Sequence, residues 1–427
     1  MKACPACGRL YPDEAGFCPA DGQGLRSATQ VPVQPSDDER VGTLVAMRYQ
    51  VRRVVADGGM GRVYEALDTH EGRRVAVKML HADVASDQVS VERFKREFEL
   101  SRMLPHDHIV DVLDFQKDGS TYALAMEYLE GEELRSVLLR EKSITPGRVV
   151  RMVSQVAIGL DPAHNAKFVH RDLKPDNIFL CGTREGDVVK ILDFGSAKDK
   201  SAGAKKLTML GTTIGSPYYM APEQAQGLDS LDHRADVWAV AAIVYEALTG
   251  TVPFGGNNGP TILLSIMTKE PIPPSQAVAK AVMPIPPTLD PVVEHAFYKN
   301  PQGRIGSVGE LANRIGAAYG LAGDFRAWAA TPQHVLDETI KANLPELMKG
   351  GASVATVGDP FAAPPASAVA AMDRAFEPPP PADDLAAGRL VHAGDASWTI
   401  PMSIRLYRPR NLTGAAATRL WAAAGGD

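Results

Sequence analysis

Apolar and polar positions alternate in YQVRRVV from Tyr49 and in RRVAVKML from Arg73, the period of strands with one face buried. A glycine-rich turn and THEG separate the two runs, which predicts a small hairpin sheet. Between Ser90 and Met103 the period changes, with Val91, Phe94 and Phe98 at helical spacing and charges on many of the remaining positions. Helical patterns then dominate after Leu134, over Arg148 to Leu160, Arg234 to Thr249, Thr261 to Lys269 and Pro291 to Tyr298. Short strand-like runs, FVH, NIFL and VVKIL, fall between Phe168 and Leu192. A sheet-rich first part and a helix-rich second part predict an α+β molecule of two lobes with a cleft between them.

Outside this region the pattern weakens. Residues 1–26 are rich in Cys, Gly and Pro, and 27–39 form a polar, proline-containing linker without period. Ala, Pro and Gly accumulate beyond Ala330, with EPPPP at Glu377 to Pro381, so 320–427 reads as a largely disordered tail. Within it, Thr331-Pro332 is a candidate cap for a short helix running toward Leu344.

Composition narrows the classes of function. The net charge of −6, from 45 basic and 51 acidic residues, provides no field to hold nucleic acid or an anionic membrane. The amino-terminal residues lack a secretory pattern, and the longest apolar stretch, Val237 to Leu248, is too short to cross a bilayer. The expected location is therefore cytoplasmic. Three of the four cysteines lie in the first eighteen residues, a distribution that suits a metal site better than a disulfide framework. The fourth, Cys181, reads as a small buried apolar residue.

The chemistry is concentrated between residues 56 and 193. Phosphoryl transfer from ATP needs a backbone cradle for phosphates, a fixed cation, oxygen ligands for magnesium and a base beside the acceptor hydroxyl. Asp57-Gly58-Gly59-Met60-Gly61 is a turn whose missing side chains allow close backbone approach, a weak signal by itself. Val75-Ala76-Val77-Lys78 presents one lysine on an apolar strand, and Glu97 on the following helix is positioned to pair with it. Val169-His170-Arg171-Asp172-Leu173-Lys174-Pro175-Asp176-Asn177 is followed, twenty-one residues past Asp172, by Asp193-Phe194-Gly195.

In these ordered motifs, and in Ala221-Pro222-Glu223, Asp236-Val237-Trp238 and Arg304, the chain resembles the eukaryotic-type (Hanks-type) protein kinases of bacteria over about two thirds of its length. The resemblance implies a bilobal kinase fold over 40–319, with a small β-rich lobe and a larger helical one. It implies ATP and Mg2+ (or Mn2+) as cofactors and serine or threonine hydroxyls of proteins as acceptors. Lys78 would hold the α/β-phosphates, with Glu97 orienting it. Asp172 would accept the hydroxyl proton, Lys174 would balance charge on the moving phosphoryl group, and Asn177 and Asp193 would hold the metal. The nucleotide site would comprise Ala56, Asp57, Gly58, Gly59, Met60, Gly61, Val63, Ala76, Lys78, Glu97, Met126 and the backbones of Glu127 and Leu129. The DLKPDN sequence resembles the serine/threonine branch, and Ser216 stands where that branch usually has threonine. His170 is expected to be structural. A kinase-folded scaffold without activity is the competing class, and retention of Lys78, Glu97, Asp172, Asn177 and Asp193 counts against it.

Two positions depart from the family pattern. Ala56 replaces the first glycine of the turn and Ala241 a glycine after Asp236-Val237-Trp238; a loss of loop freedom or of positive φ at Ala56 is expected to alter nucleotide affinity at most. Pro162 is expected to kink the end of its helix.

Cys4-Pro5-Ala6-Cys7 and, after ten intervening residues, Cys18-Pro19-Ala20-Asp21 resemble the two knuckles of a short zinc ribbon, with Cys4, Cys7, Cys18 and Asp21 as candidate Zn2+ ligands. With few cations nearby, such a module suits protein docking better than DNA. On the segment from Asp193 to Glu223, Thr208, Thr212 and Thr213 are candidate autophosphorylation sites whose phosphate would face Arg171, with self-association placing one copy's segment in another's site.

Overall fold

A computed structural model of the chain describes residues 38–194, 217–228 and 231–349, with the backbone of three short strands nearer the start. The chain divides into two units, Met1–Ala352 and Ser353–Asp427, the second lying wholly outside the described residues. The short strands are β1 (Lys2–Ala3), β2 (Leu10–Tyr11) and β3 (Arg26–Ser27), with β1 between the other two and antiparallel to both.

The small lobe is one antiparallel sheet built from β4 (Leu44–Val45), β5 (Tyr49–Asp57), β6 (Gly61–Asp68), β7 (Arg73–Leu80), β8 (Val112–Asp118) and β9 (Thr121–Glu127), in the order β4-β5-β6-β7-β9-β8. On β7 the period of two sends Val75, Val77 and Met79 into the core and leaves Ala76 and Lys78 on the opposite face. A short α1 (Ala82–Ala85) leads to α2 (Gln88–Met103), whose N-cap Asp87 accepts hydrogen bonds from the N–H groups of Val89 and Ser90. Val91, Phe94, Glu97 and Leu100 form the buried stripe of α2, with Phe98 packed at its edge. The burial of Glu97 on this face places a carboxylate within reach of β7.

The large lobe begins with β10 (Glu132–Glu133), α3 (Leu134–Glu141) and α4 (Pro146–Asn165). Helix α4 continues through Pro162 to Asn165, so the proline does not end the helix. Strands β11 (Ile178–Thr183) and β12 (Gly186–Ile191) pair as a hairpin, whereas Phe168 to His170, expected as strand, is a loop leading into Arg171 and Asp172. Helices α5 (Pro222–Ala225), α6 (Arg234–Thr249), α7 (Gly259–Thr268), α8 (Asp290–Ala296) and α9 (Val308–Ala318) follow. Helix α6 is buried along almost its whole length, Arg234 and Glu246 excepted, because it lies in the centre of the lobe, where Trp238 stacks on Phe254 at 5.3 Å. Ala241 is buried within it.

The expected tail is corrected by the structure between residues 320 and 349. Here α10 (Phe325–Ala330) and α11 (Gln333–Met348) pack on α4 and bury Phe325, Trp328, Leu336, Ile340 and Leu344 in the large-lobe core. Trp328 fills the space above Gly316, where an added Cβ would lie 2.2 Å from its ring. Asp337 accepts from the Gly147 N–H at 2.9 Å and the Thr145 hydroxyl at 3.0 Å, which stitches α11 to the start of α4. Among the described residues no helix is long and apolar enough to cross a membrane.

Candidate active site

The cleft between the lobes is lined from above by β5–β7 and from below by the loop after α4. The turn from Asp57 to Gly61 closes through a hydrogen bond from the Gly58 N–H to the Gly61 carbonyl at 3.1 Å. Ala56 lies in the β5–β6 ladder opposite Val63, and no residue from Ala56 to Gly61 has a positive φ, so the glycine missing at 56 was not needed for a left-handed backbone. Gly61 is required for a different reason. A Cβ there would lie 2.2 Å from the Met79 carbonyl oxygen, so glycine permits β6 to approach β7. At Gly59 an added Cβ would meet nothing, and that part of the turn is open to a ligand.

Lys78 crosses the cleft. Its Nζ lies 2.6 Å from Asp193 Oδ1 and 3.4 Å from Glu97 Oε2. Burial alone would lower the lysine pKa, but the two carboxylates outweigh it and hold the ammonium above its ordinary value. Burial pushes Glu97 upward, the Lys78 charge opposes this and the neighbouring Asp193 adds to it, leaving Glu97 above the usual carboxylate range. Burial acts on Asp193 as well, yet Lys78 and a hydrogen bond from Glu97 hold it well below that range.

Below this cluster, Lys174 Nζ donates to Asp172 Oδ2 at 2.8 Å, and Asn177 Nδ2 donates to the Asp172 carbonyl at 2.6 Å. His170 is fully buried, donates from Nε2 to the Leu192 carbonyl at 2.8 Å and packs edge-on against Phe194 at 4.8 Å. Its other nitrogen accepts from the Asp172 N–H at 3.3 Å, so this imidazole braces the loop. Arg171 and Asp193 have φ values of 68° and 56°, a backbone disfavoured for their side chains and held in place by neighbours. Asp236 on α6 supplies much of that hold, accepting from the N–H groups of His170 and Arg171 and from His164 Nε2, each at 2.8 Å.

Met126 and Ala76 pair across β7 and β9, and with Val63 they are half-buried toward the cleft. The Glu127 N–H donates to the Asp111 carbonyl at 2.9 Å, which leaves its carbonyl as the candidate adenine contact from that residue. Leu129 follows at the hinge, half-buried. Cys181 is half-buried, not buried as expected, and burial pushes its thiol pKa up, away from reactivity.

Several contributors were not singled out from the sequence as parts of the site. Arg135 donates to Glu246 at 3.1 Å, to Asp176 at 3.4 Å and to the Tyr219 hydroxyl, joining α3, the catalytic loop and the segment before α5. With Lys174, Tyr218 and Val252 these residues line a cavity of about 330 Å3. An arginine inside an otherwise amphipathic helix was the available signal. Ser216, Thr208, Thr212 and Thr213 lie outside the described residues, as do Gly195 and the side chains of Cys4, Cys7, Cys18 and Asp21.

Comparison with known proteins agrees with this geometry. The protein kinase domain family matches residues 49–314. The chain is 41% identical over 275 residues to serine/threonine-protein kinase pkn3 of Myxococcus xanthus, covering 63% of this chain and 50% of that protein. It is 38% identical over 283 residues to serine/threonine-protein kinase PknA of Mycobacterium tuberculosis, covering 65% of this chain and 63% of that one. The chain thus spans between half and two thirds of the length of these relatives. A crystal structure of the M. tuberculosis PknI kinase domain superposes with a TM-score of 0.52 at 28% identity, covering 66% of this chain and 99% of that domain. This chain belongs to the protein kinase domain family, in the eukaryotic-type branch found in bacteria.

Proposed function

We propose that this chain transfers the γ-phosphoryl group of ATP to serine or threonine hydroxyls of protein substrates. The observation that carries the reading is the meeting of Lys78, Glu97 and Asp193 from three separate segments, beside Asp172 with Lys174 on its carboxylate. Lys78, kept charged, suits contact with the α/β-phosphates. Asp172 is the group to receive the acceptor proton, and Lys174 lies where it can balance charge during transfer.

The donor set also suits a hard divalent cation, since Asp193 stays ionised and Asn177 contributes a second side-chain oxygen. Mg2+ or Mn2+ bound there would neutralise phosphate charge and fix its geometry. The chain's own part is to hold these oxygens in place, through Lys78 on Asp193 and through the Asn177 bond to the Asp172 carbonyl.

Two finer readings belong to the same proposal. One is autophosphorylation on Thr208, Thr212 or Thr213 between copies, with Arg171 as the receiving cation. The other is a Zn2+-binding ribbon over 1–26, followed by a linker at 27–39 and the kinase body from 40. In its support, Ala3 pairs with both Leu10 and Arg26, so the connection holding Cys4 and Cys7 and the one holding Cys18 and Asp21 both end beside Ala3.

Incubating the full chain with labelled ATP, Mg2+ and a general acceptor protein, then mapping phosphosites, tests the activity. Label on serine or threonine supports it, and absence of transfer from a preparation that binds nucleotide overturns it.

A further inference from the structure

Opposite the catalytic loop, the glycine-rich turn begins with an acid, Asp57. A carboxylate at the rim of a phosphate site repels the ligand unless its charge is met. Here Arg62, directly across the β5–β6 ladder, donates from Nε to Asp57 Oδ2 at 2.8 Å, and His81 Nε2 lies 3.1 Å from Asp57 Oδ1. Hydrogen bonding to Arg62 holds the Asp57 pKa below its ordinary value. His81 also takes up the back of the turn, with Nε2 2.9 Å from the Gly58 carbonyl and its backbone N–H 3.2 Å from the Met60 carbonyl.

The same Arg62 reaches backward. Its Nη1 donates to Asp38, whose carboxylate also accepts from the Tyr64 hydroxyl at 2.9 Å and from the Arg40 N–H at 2.9 Å. Asp38 has a nearly buried side chain, 8% exposed, and stands at the end of the segment joining residues 1–26 to the kinase body.

We propose that Asp38, Arg62, Asp57 and His81 form a positioning chain that holds the glycine-rich turn and cancels the charge of Asp57, so that nucleotide affinity is governed from residue 38, at the edge of the amino-terminal segment. This rests on the ATP-binding reading above. Arg62 is the pivot, because one guanidinium serves both carboxylates. Asp38 acts through it, with no phosphate contact of its own. A change in the chain leading into Asp38 would draw Arg62 away from Asp57 and leave a bare carboxylate facing the phosphates.

The test uses the full chain, with ATP KM and kcat from initial rates, Kd for a fluorescent ATP analogue and a thermal midpoint for each variant. Arg62→Gln is expected to raise KM and Kd about three- to fivefold, the scale of a small surface ion network, with kcat changing less. Asp38→Asn should shift both in the same direction, and Asp38→Asn combined with Arg62→Gln should bind no more weakly than Arg62→Gln alone. Asp57→Asn added to Arg62→Gln should restore affinity, because the uncancelled charge is gone. Unchanged KM and Kd in the single variants, with only the thermal midpoint lowered, would reduce the chain to a structural tie and overturn the proposal. Additive effects of Asp38→Asn and Arg62→Gln would overturn the link through Arg62. A wild-type chain that binds no nucleotide overturns the kinase reading with it, whereas wild-type binding matched by every variant overturns this inference alone.

Discussion

Arg304 and Glu223, eighty-one residues apart, form a two-bonded ion pair at 2.8 and 3.0 Å with side-chain exposures of 0% and 6%. The arginine also donates to the Arg234 carbonyl at 2.7 Å and lies 5.0 Å from the Trp238 ring, so the pair ties Ala221-Pro222-Glu223 to the core of the large lobe. Removing one partner leaves the other charged and buried. Arg304→Leu is therefore expected to lower stability by about 3–5 kcal/mol, while Arg304→Met with Glu223→Met should recover part of it. Urea unfolding of the three proteins checks this, and equal losses in the single and double variants would show that the pair's charge is not the cause.

Asp68 makes the small lobe sensitive to acid. It accepts from Arg48 at 2.7 and 2.9 Å and from the His70 N–H at 3.0 Å, and hydrogen bonding to Arg48, against an opposing effect of burial, lowers its pKa from 3.8 to about 2. A depressed carboxylate pKa stabilises the fold above the unfolded-state value, and that contribution disappears as pH falls through the folded-state value. Asp68→Asn should thus be less stable than wild type near neutrality, with the gap closing between pH 3.8 and about 2. Denaturation midpoints across that range are the measurement. A gap that stays constant with pH would assign the loss to packing.

Much of this was legible in the sequence. The period of two in RRVAVKML set Lys78 on the face opposite Val75 and Val77, and the helical spacing after Ser90 put Glu97 on a helix able to pair with it, though not its burial beside Phe94. The kinase motifs brought Asp172, Asn177 and Asp193 together because each is a local signature on a loop fixed by the fold. Long-range polar work was less visible. Asp236 was recognised as part of a motif, but nothing local indicates that its carboxylate holds the His170 and Arg171 N–H groups. Of the two carboxy-terminal helices, α11 matches the short helix expected after Thr331-Pro332, but it was placed in the tail, and α10 was not foreseen; only the partner surface on α4 reveals why Trp328 and Ile340 are buried. Gly61 was assigned to phosphate approach, while the contact that excludes a side chain is with Met79 in the neighbouring strand.

Those helices provide a direct test of the domain boundary. A chain ending after Tyr319 would expose the core positions met by Phe325, Trp328, Leu336 and Ile340, whereas one ending after Lys349 keeps them covered. The shorter form is expected to aggregate or melt early, and the longer form to melt like the full chain. Asp337→Ala, which frees the Gly147 N–H and the Thr145 hydroxyl at the start of α4, should cost about 1 kcal/mol, the scale of a lost helix cap. Scanning calorimetry distinguishes these. A form ending at 319 with the full chain's melting temperature would restore the tail reading.

For the amino-terminal module, the protein purified without chelator is expected to carry about one zinc per chain, bound by three thiolates and a carboxylate. Cys4→Ser or Cys18→Ser should release the metal without moving the melting transition of the kinase body, the outcome expected if the polar, proline-containing stretch before Asp38 separates the two. Elemental analysis beside calorimetry reads both quantities. Metal-free wild-type protein would remove the ribbon from the proposal and leave the kinase site untouched.

The two aspartates assigned to the proposed chemistry, Asp172 and Asp193, should fail in different ways. Asp172 is held by Lys174 and by its carbonyl bond from Asn177, with no contact to Lys78, while Asp193 is bonded directly to Lys78 at 2.6 Å. In Asp172→Asn the shape and the polar contact with Lys174 change little, but the group can no longer take a proton. Transfer should fall by about 10²–10⁴-fold, the range for loss of a general base, with nucleotide affinity nearly unchanged. In Asp193→Asn the charge beside Lys78 is lost, and so is the carboxylate suited to the metal. Mg2+-dependent tightening of nucleotide binding should disappear along with transfer, since the variant has lost the anionic oxygen donor and, with it, the charge paired with Lys78. Lys78→Met should weaken nucleotide binding with or without Mg2+, because it removes the cation itself and leaves Asp193 and Glu97 facing each other. Nucleotide Kd measured with and without Mg2+, beside single-turnover transfer, separates all three. If Asp172→Asn transfers phosphate at the wild-type rate, the base is another group. If Asp193→Asn retains the Mg2+ effect, the metal is held elsewhere in the cleft.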